Sequence, residues 1–404
     1  MWPSAAGMLH FPRIAATLVL HYLAAPEKAG AKDVPSAQAR IGTSKRRLNP
    51  MEWARVVKIG AAVAKAHLFG VRTPLAVWVD ITNRCPANCA YCNLSRTGEK
   101  DLPLEDVLRL ADEAREAGTQ RMHLSGGDPL MRDDIGEIIR HIKGRGLYLT
   151  LSVREHFIPA RINALAGVDY LFLSFEGPEE VHDGLKGRGS FRHLLRAFEI
   201  LKEHGIPFLT TTILTKRNAP HIDYILETAR KYDFRCNFQC LHYPQGIDQP
   251  AGFQTRHPLE DLLLSDEEYR RAGETLLRRR KEGAPVISSP ESIRYAMLKW
   301  PDHRQCFLPS LVDRRVKCWA GKLFCMIDID GSVYHCGSTF IDRKDKRRYL
   351  DFRKVGFARA FRNLGDIPCR ACIQACHTEL NLMFSLHPST IGHWLKQFTI
   401  RAGG

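Results

Sequence analysis

Between residue 75 and about residue 240, short apolar segments alternate with amphipathic segments, and no other feature of the sequence constrains the fold as much. Neighbouring strands of a parallel sheet are joined by helical crossovers, so this alternation predicts an α/β fold with a parallel sheet or barrel. Six repeats are fewer than the eight of a closed barrel. The predicted strands cover residues 75–81, 121–124, 148–153, 170–175, 208–214 and 235–240, and the predicted helices between them cover 104–117, 134–143, 191–204 and 222–232.

The chain of 404 residues contains 12 cysteines, which fall in tight groups separated by long stretches without cysteine. A chain of this length buries a large core without disulfide bonds. The grouping therefore favours metal or cluster ligation in a reducing compartment, and we expect a cytoplasmic location. A hydrophobic content of 44% and a charged content of 25% exclude a wholly disordered or fibrous chain.

The first cysteine group, Cys85, Cys89 and Cys92, lies within eight residues directly after the first predicted strand. Three thiolates on one loop can bind three irons of a [4Fe–4S] cluster and leave the fourth iron open. An open iron can chelate S-adenosylmethionine (SAM), and reduction of the cluster then cleaves SAM to a 5′-deoxyadenosyl radical that abstracts hydrogen from C–H bonds. From the spacing alone, a zinc site or buried structural thiols are the alternatives.

With Tyr91 just before its last cysteine, this motif resembles that of the radical SAM superfamily in spacing and in position. The resemblance implies a partial (β/α)6 TIM-type barrel over residues 71–245, with a lateral opening wide enough for a large substrate. It also implies a [4Fe–4S] cluster ligated by Cys85, Cys89 and Cys92, with SAM bound at that cluster. A flavodoxin or a ferredoxin-like protein is the expected reducing partner.

The ends of the next three strands match SAM-binding positions of this superfamily. After the second strand the family has a Gly-Gly-Glu segment whose backbone meets the SAM amino group, and here Asp128 replaces the usual Glu. For Ser152 and Arg154, after the third strand, an ordinary strand-end serine and a surface arginine are the alternative. The resemblance thus implies SAM contacts from Tyr91, Ser125, Gly126, Gly127, Asp128, Ser152, Arg154 and Ser174.

The stretch after the fourth strand is similar to one that is common in superfamily members with a cysteine-rich C-terminal extension. That stretch has the form Ser-x-Asp-Gly, then His-Asp, then Arg-Gly, and finally Gly-x-Phe. This chain departs from it at two positions, with Glu176 where Asp is usual and Lys186 where Arg is usual. The similarity therefore implies a small cysteine-rich α+β domain after the barrel.

The second cysteine group comprises Cys318, Cys325 and Cys336, followed by Cys369, Cys372 and Cys376. Residues 327–334 predict a hairpin around the Asp330-Gly331 turn. Cysteines that flank a hairpin, together with a distant Cys-x-x-Cys, form a ligand cage for one or two metal centres, and spacing alone would also suit zinc.

Beside a radical SAM core, this second group resembles the SPASM/twitch extension, because Gly331 follows Cys318 by 12 intervening residues and Cys336 completes the Gly-x4-Cys pattern. The downstream cysteines are too few for two fully cysteine-ligated clusters. The resemblance therefore implies one auxiliary [4Fe–4S] cluster, held by Cys318, Cys325, Cys336 and one of Cys369, Cys372 or Cys376. Cys236 and Cys240 are interpreted as core or barrel-mouth thiols.

Outside the barrel, the sequence predicts four further parts. A helix over residues 51–69 either packs on the next domain or lies on a membrane surface. The predicted parts are an N-terminal extension with this amphipathic helix (1–70), a bridging segment (246–310), the SPASM/twitch-like domain (311–380) and an amphipathic C-terminal tail (381–404).

The substrate is open to three hypotheses. The net charge of +15 and the apolar–basic flanking segments favour radical chemistry on a lipid or isoprenoid, with peripheral contact to an anionic membrane. The alternative is modification of a peptide or protein, as in maturases of ribosomal peptides. A third hypothesis is an electron carrier or cluster scaffold. No nucleic-acid-binding motif is present, and the sequence identifies no catalytic acid.

Overall fold

The computed structural model describes residues 50–87, 89–92, 101–241, 261–337, 349–367 and 369–393. The described strands are β1 (Ala76–Thr82), β2 (Arg121–Gly126), β3 (Tyr148–Ser152), β4 (Tyr170–Ser174), β5 (Phe208–Leu214), β6 (Arg235–Cys240), β7 (Phe307–Leu308), β8 (Phe324–Ile327), β9 (Val333–Tyr334) and β10 (Ala371–Cys372). The described α-helices are α1 (Pro50–Phe69), α2 (Leu104–Glu116), α3 (Ile135–Gly144), α4 (Ile158–Arg161), α5 (Glu179–Lys186), α6 (Ser190–Glu203), α7 (Ile222–Tyr232), α8 (Asp266–Lys281), α9 (Pro290–Ile293), α10 (Phe352–Val355), α11 (Phe357–Arg362) and α12 (Ala375–Phe384).

The six strands predicted from the alternation form one continuous parallel sheet, in the order β6-β5-β4-β3-β2-β1. Each strand pairs with its neighbour in the sequence, as expected for β/α repeats. The crossover helices bury one face against this sheet; in α3 the buried residues Ile135, Ile138, Ile139 and Ile142 follow helical spacing. The prediction of an α/β partial barrel is confirmed.

The sheet continues beyond the barrel, because β8 of the cysteine-rich region pairs in parallel with β1, and β9 pairs antiparallel with β8. The β8–β9 turn places Gly331 at φ +78°, which agrees with the predicted hairpin. The cysteine-rich region therefore shares a sheet with the barrel.

Helix α1 packs Ile59 and Val63 into a second apolar core, formed with Leu323, Phe324 and Phe384. The end of this helix leaves other apolar side chains in solvent, among them Leu68 and Phe69. The expected N-terminal extension before residue 50, the end of the predicted barrel (242–245), the first part of the predicted bridge (246–260) and the end of the predicted tail (394–404) lie outside the described residues. Within the described residues, no helix combines the length and the apolar character that crossing a bilayer requires.

Candidate active site

The loop after β1 carries the first cysteine group at the carboxyl edge of the sheet. One hydrogen bond joins this loop to α5, since the Ala90 amide donates to the Leu185 carbonyl at 2.9 Å. A second lies within the loop, where the Cys92 amide donates to the Cys89 carbonyl at 3.3 Å. Burial, with a smaller contribution from the neighbouring Cys89, raises the pKa of Cys85 to about 12. Such a thiol ionises readily only when a metal centre is present to bind it.

Gly126 and Gly127, at the end of β2, lie directly against the backbone of this cysteine loop. The Gly127 amide donates to the Thr82 carbonyl at 2.7 Å, and the Asp128 amide donates to the Arg84 carbonyl at 2.8 Å. A Cβ on Gly126 would collide with the Thr82 carbonyl, and one on Gly127 would collide with the Arg84 carbonyl. The two glycines therefore allow β2 to brace the cysteine loop, in addition to the ligand approach predicted from the sequence.

Asp128 and Arg154 each carry buried polar atoms that have no hydrogen-bond partner among the described residues. Asp128 accepts from the Leu130 amide at 3.1 Å through Oδ1, whereas its Oδ2 has no partner. Arg154 donates through one terminal nitrogen to Glu155 at 2.8 Å and to Ser190 at 3.1 Å, and its Nε and other terminal nitrogen have no partner. Besides Glu155 Oε2, one acceptor on Asp128 and two donors on Arg154 are left over, and these match the amino and carboxylate groups of an amino-acid ligand. The residues present therefore fit SAM.

The Tyr91 hydroxyl is bound by the buried carboxylate of Glu176, a residue that was not predicted as a site residue. The hydroxyl donates to Glu176 Oε1 at 2.6 Å, and Glu176 Oε2 accepts from Asn218 at 3.0 Å and from the Ile213 amide at 3.2 Å. The ammonium of Lys186 lies 4.8 Å from the Tyr91 ring centroid. Burial, together with the Glu176 charge, raises the pKa of Tyr91 well above its usual value, so the phenol remains a donor.

A chain of oriented hydrogen bonds connects Glu176 with Arg154. The Glu176 amide donates to His182 Nδ1 at 3.1 Å, so the ring proton is on Nε2, which faces Ser190 Oγ at 3.0 Å. The Ser190 hydroxyl donates in turn to Glu155 Oε1 at 2.6 Å, and Arg154 donates to the same oxygen. Burial lowers the pKa of His182 well below its usual value, which keeps the ring neutral. This chain orients Arg154.

Most of the predicted SAM contacts meet in one cavity of about 220 Å³ inside the barrel. Tyr91 and Asp128 are not among the residues that line it, although both belong to the surrounding structure. From the predicted set, the lining residues are Ser125, Gly126, Gly127, Ser152, Arg154 and Ser174.

The second cysteine group divides in the structure. Cys318, Cys336, Cys369 and Cys372 lie close together: besides burial, Cys318 and Cys336 raise the pKa of both Cys369 and Cys372, and Cys369 also raises that of Cys372. Burial raises the pKa of Cys318 to about 12, with a further contribution from Cys336. These four thiols form a buried group.

Cys306, which was not among the expected ligands of the one auxiliary cluster, also lies beside this group. The Ile373 amide donates to the Cys306 carbonyl at 3.1 Å, and Cys372 lies opposite Phe307 in the β10–β7 pair. Burial raises the pKa of Cys306 to about 12, with a smaller contribution from Cys336. Its separation from the other cysteines in the sequence hides this proximity.

Of the other two expected cluster ligands, Cys325 lies elsewhere, whereas Cys376 lies between this group and the barrel cavity and its pKa is raised by burial and, less, by Cys336. Cys325 is in β8, where it pairs with Val77 of β1 and is buried in the barrel core. Alternate residues of a strand face opposite sides, so the strand that brings Phe324 to one core turns Cys325 into the other. Cys376 lines the barrel cavity. The structure therefore does not bring the expected Cys325 to the other thiols, and it brings Cys369 and Cys372 there together.

A parallel partial barrel with three cysteines on the loop after its first strand is the architecture of a radical SAM domain. Residues 79–229 match the sequence model of the Radical SAM superfamily. Residues 79–229 are therefore assigned as a radical SAM domain, and members of that superfamily use a [4Fe–4S] cluster and SAM.

Relatives with assigned activities align with parts of the chain. A PqqA peptide cyclase of Granulibacter bethesdensis is 32% identical over 216 residues, which cover 50% of this chain and 56% of the cyclase. An AdoMet-dependent heme synthase of Oleidesulfovibrio alaskensis is 28% identical over 306 residues, which cover 71% of this chain and 76% of the synthase. The chain thus spans little more than half the length of the cyclase.

Among solved structures, SuiB of Streptococcus suis bound to the precursor peptide SuiA has a similar fold. The TM-score is 0.56 at 13% identity, and the match covers 88% of this chain and 77% of SuiB. At this level of identity the likeness shows the fold alone. Since the match extends well beyond the superfamily domain, the fold similarity includes the cysteine-rich region.

Proposed function

We propose that this chain is a radical SAM enzyme that abstracts hydrogen from a C–H bond of a peptide or protein substrate. The observation that carries the proposal is the position of the leftover polar atoms of Asp128 and Arg154, in one buried site beside Cys85 and Cys89. When bound, the cluster and SAM together supply the 5′-deoxyadenosyl radical that attacks the substrate.

In this proposal Cys85, Cys89 and Cys92 hold the SAM-binding cluster. Asp128 accepts from the SAM amino group, and Arg154 donates to the SAM carboxylate, since both residues carry buried polar atoms without a protein partner. The backbone of Gly126 and Gly127, with Ser125, Ser152 and Ser174, lines the remainder of the SAM site. Tyr91, fixed by Glu176, positions the cysteine loop.

We also propose one auxiliary [4Fe–4S] cluster in the cysteine-rich region. Its ligands are Cys318, Cys336, Cys369 and Cys372, because these buried thiols lie together and a metal centre relieves the cost of ionising them there. Cys306 is the adjacent fifth thiol. The electrons come from a flavodoxin or ferredoxin-like reductant.

The comparisons favour a peptide over the lipid or isoprenoid that the flanking segments suggested. The names of the aligned relative and of the similar structure refer to peptide substrates. The fold similarity to SuiB bound to SuiA extends over both the barrel and the cysteine-rich region. A peptide also suits the lateral opening of an incomplete barrel.

One observation supports a membrane-associated substrate as a second candidate. Leu68 and Phe69, at the end of α1, are 71% and 75% exposed, and Lys65 and Arg72 lie beside them in the sequence. Apolar side chains next to cations are typical of segments that bind anionic lipid surfaces. Cosedimentation with phosphatidylserine vesicles tests this candidate: binding that a Leu68→Ser/Phe69→Ser variant loses would support it, and no binding by the wild type would remove it.

The first test is anaerobic purification, reconstitution with iron and sulfide, and assay of 5′-deoxyadenosine under strong reductant. We expect about eight irons per chain, which fall to about four in a Cys85/Cys89/Cys92→Ala variant that makes no 5′-deoxyadenosine. Cys236→Ala, in the apolar core, is the matched control and keeps both properties. Equal iron in wild type and triple variant, with no SAM cleavage by either, would contradict the proposal.

A further inference from the structure

One group of side chains, apart from the barrel cavity and from both cysteine groups, has the composition of a metal site. Glu291 of α9, Asp313 of the loop after β7 and His387 after α12 come from segments that are distant in the sequence. One atom from each, a carboxylate oxygen or a ring nitrogen, lies within 4.8 Å of the other two. Two ligands bonded to one zinc ion at about 2.0–2.2 Å each are at most about 4.4 Å apart. Small side-chain movements therefore bring all three atoms onto one ion.

His387 is the member of this group that indicates a ligand. The residue is only 5% exposed, and neither Nδ1 nor Nε2 has a hydrogen-bond partner among the described residues. A neutral imidazole has one donor and one acceptor, and burying either without a partner is costly. Since one ring nitrogen lies near both carboxylates without a hydrogen bond to either, it has the position of a metal ligand.

The turn after α12 holds His387 in place. The Leu386 amide donates to the Met383 carbonyl, and the His387 amide donates to the Leu382 carbonyl, both at 2.9 Å. Leu386 has a φ of +57°, in the left-handed region that favours glycine at the end of a helix. A leucine keeps this conformation only where the surrounding contacts impose it, so the position of His387 is fixed by its neighbours.

The two acids already attract cations, and all of these reach in from solvent. Lys299 Nζ lies 2.5 Å from Glu291 Oε1 and 3.7 Å from Asp313 Oδ2. Arg294 pairs with Glu291 at 3.5 Å, and Arg315 pairs with Asp313 at 3.1 Å. The Lys299 side chain is 40% exposed, whereas those of the two acids are 9% and 13% exposed. Because a lysine side chain is long and flexible, its ammonium can leave this position to another cation.

We propose that Glu291, Asp313 and His387 bind one Zn²⁺ ion, which displaces the Lys299 ammonium. Imidazole and carboxylates are ligands that zinc takes in proteins, and three of them leave a fourth position for water. Mg²⁺ and Ca²⁺ prefer oxygen ligands, so the imidazole selects against them. The ion carries twice the charge of an ammonium beside two largely buried carboxylates, which favours the exchange. This site goes beyond the proposed function and does not depend on it.

The ion has a structural role at the edge of the auxiliary thiols. Ser385, two residues before His387, accepts from the Trp319 indole at 3.0 Å, and Trp319 directly follows Cys318. Asp313 lies five residues before Cys318 in the same segment. An ion that joins Asp313 to His387 therefore gives this segment a second attachment to the end of α12.

The test uses the holoprotein, reconstituted with iron and sulfide before zinc is added so that the cysteines are occupied. Equilibrium dialysis against zinc buffered with nitrilotriacetate, followed by elemental analysis, gives zinc and iron per chain. We expect one zinc ion to bind without loss of iron. His387→Ala should weaken zinc binding by about tenfold or more, since even partners behind metal ligands are worth that much. His204→Ala, an exposed histidine bonded to its own helix, is the matched control and should bind as the wild type does. Equal zinc binding by wild type and His387→Ala would overturn the proposal.

Lys299 provides a test in the opposite direction. Lys299→Ala removes the competing ammonium and keeps all three ligands, so zinc affinity should rise several-fold. Lys202→Ala, an exposed lysine of α6, is its control and should leave the affinity unchanged. An unchanged or lower affinity in Lys299→Ala would overturn the proposal. This arm decides if His387→Ala does not fold, as judged by its iron content.

X-ray absorption at the zinc edge identifies the ligands. Imidazole and carboxylates give nitrogen and oxygen neighbours at about 2.0–2.2 Å, whereas cysteines give sulfur at about 2.3 Å. A sulfur shell would assign the zinc to the cysteine groups and overturn the site. Mg²⁺ that binds as tightly as Zn²⁺ would contradict the imidazole ligand. No arm of this test measures SAM cleavage, so failure of the proposed function leaves its outcome unaffected.

Discussion

The ammonium of Lys186 lies 3.3 Å from Glu176 Oε1, and both side chains are almost completely buried. These are the two positions at which the stretch after β4 departs from the family pattern that it resembles, so the two departures are the halves of one ion pair. Glu176 also receives the Tyr91 hydroxyl. The pair thus supports the loop that carries the first cysteine group.

Removal of one partner of this pair should be costly. Lys186→Met leaves the Glu176 carboxylate buried without its cation, which we expect to lower the free energy of unfolding by about 3–5 kcal/mol. SAM affinity should fall as well, because Glu176, which accepts from the Tyr91 hydroxyl, loses the cation that holds it in position. Thermal unfolding of the holoprotein and equilibrium SAM binding measure the two effects.

A double variant is the control for the ion pair. Glu176→Gln/Lys186→Met removes both charges and should recover most of the lost stability, because no uncompensated charge remains. If Lys186→Met costs as much in the Glu176→Gln background as in the wild type, the lysine acts through packing and the ion-pair interpretation is wrong.

Gly127→Ala should disrupt the first cluster, because its methyl group collides with the Arg84 carbonyl on the cysteine loop. We expect the iron content to fall from about eight to about four per chain, with loss of 5′-deoxyadenosine formation. Gly144→Ala, in α3, is the control: nothing lies within 4 Å of its Cβ position, so iron content and activity should not change. Normal iron in Gly127→Ala would show that the loop can move to accept the methyl group.

The auxiliary ligand set can be tested by single substitutions. Cys372→Ala should lower the iron content to about four per chain and leave the first cluster in place, whereas Cys325→Ala should retain about eight. The reason is position: Cys372 lies among other thiols, and Cys325 lies in the apolar core between strands. Iron loss in Cys325→Ala with none in Cys372→Ala would reverse the assignment.

SAM binding should strengthen as the pH rises through neutrality. Burial raises the pKa of Asp128 to about 7, so its carboxyl group is mostly neutral at pH 6 and mostly ionised at pH 8. Only the ionised form provides a carboxylate for the SAM ammonium. Calorimetric SAM titrations between pH 6 and pH 8 should show affinity increasing several-fold, and Asp128→Asn should bind weakly with a flat profile. An unchanged pH profile in Asp128→Asn would assign the dependence to another group.

The same shift has a consequence for stability without SAM. The folded state holds the Asp128 proton up to about pH 7, whereas the unfolded chain loses it near pH 4, so the folded state binds more protons between these values. The contribution of Asp128 to stability therefore falls as the pH rises through this window. Denaturant unfolding of wild type and Asp128→Asn at pH 5 and pH 7.5 should show a smaller pH dependence in the variant.

The sequence alone predicts the barrel well, because strong local patterns define it. The predicted strand 208–214 is β5 to the residue, and the strand predicted over 75–81 is β1 with its bounds one residue later. Amphipathic periodicity and apolar runs act over a few residues, and the crossovers that join them leave few choices of topology. The first cysteine group can be recognised in the sequence for the same reason, since its three members lie close together on one loop.

The sequence did not predict the pairing of strands that are distant from each other in the chain. Strand β8 is four residues long and carries no periodicity, yet it joins the sheet at β1, about 250 residues earlier in the chain. Because this pairing places Cys325 in the barrel core, the structure does not bring this expected ligand beside the other thiols. The β7–β10 pair likewise brings Cys306 beside Cys372, which the spacing of cysteines does not reveal.

The sequence by itself determined the chemistry available to this protein: three loop thiols after a first parallel strand, a glycine pair after the second, and a later group of cysteines. Those signals are local, because each depends on the spacing of residues that are close together in the sequence. The tertiary structure decided which thiols meet, that Glu176 and Lys186 compensate each other, and that Glu291, Asp313 and His387 lie together. These depend on contacts between strands and helices that are distant in sequence, where burial and charge act only after the chain has folded.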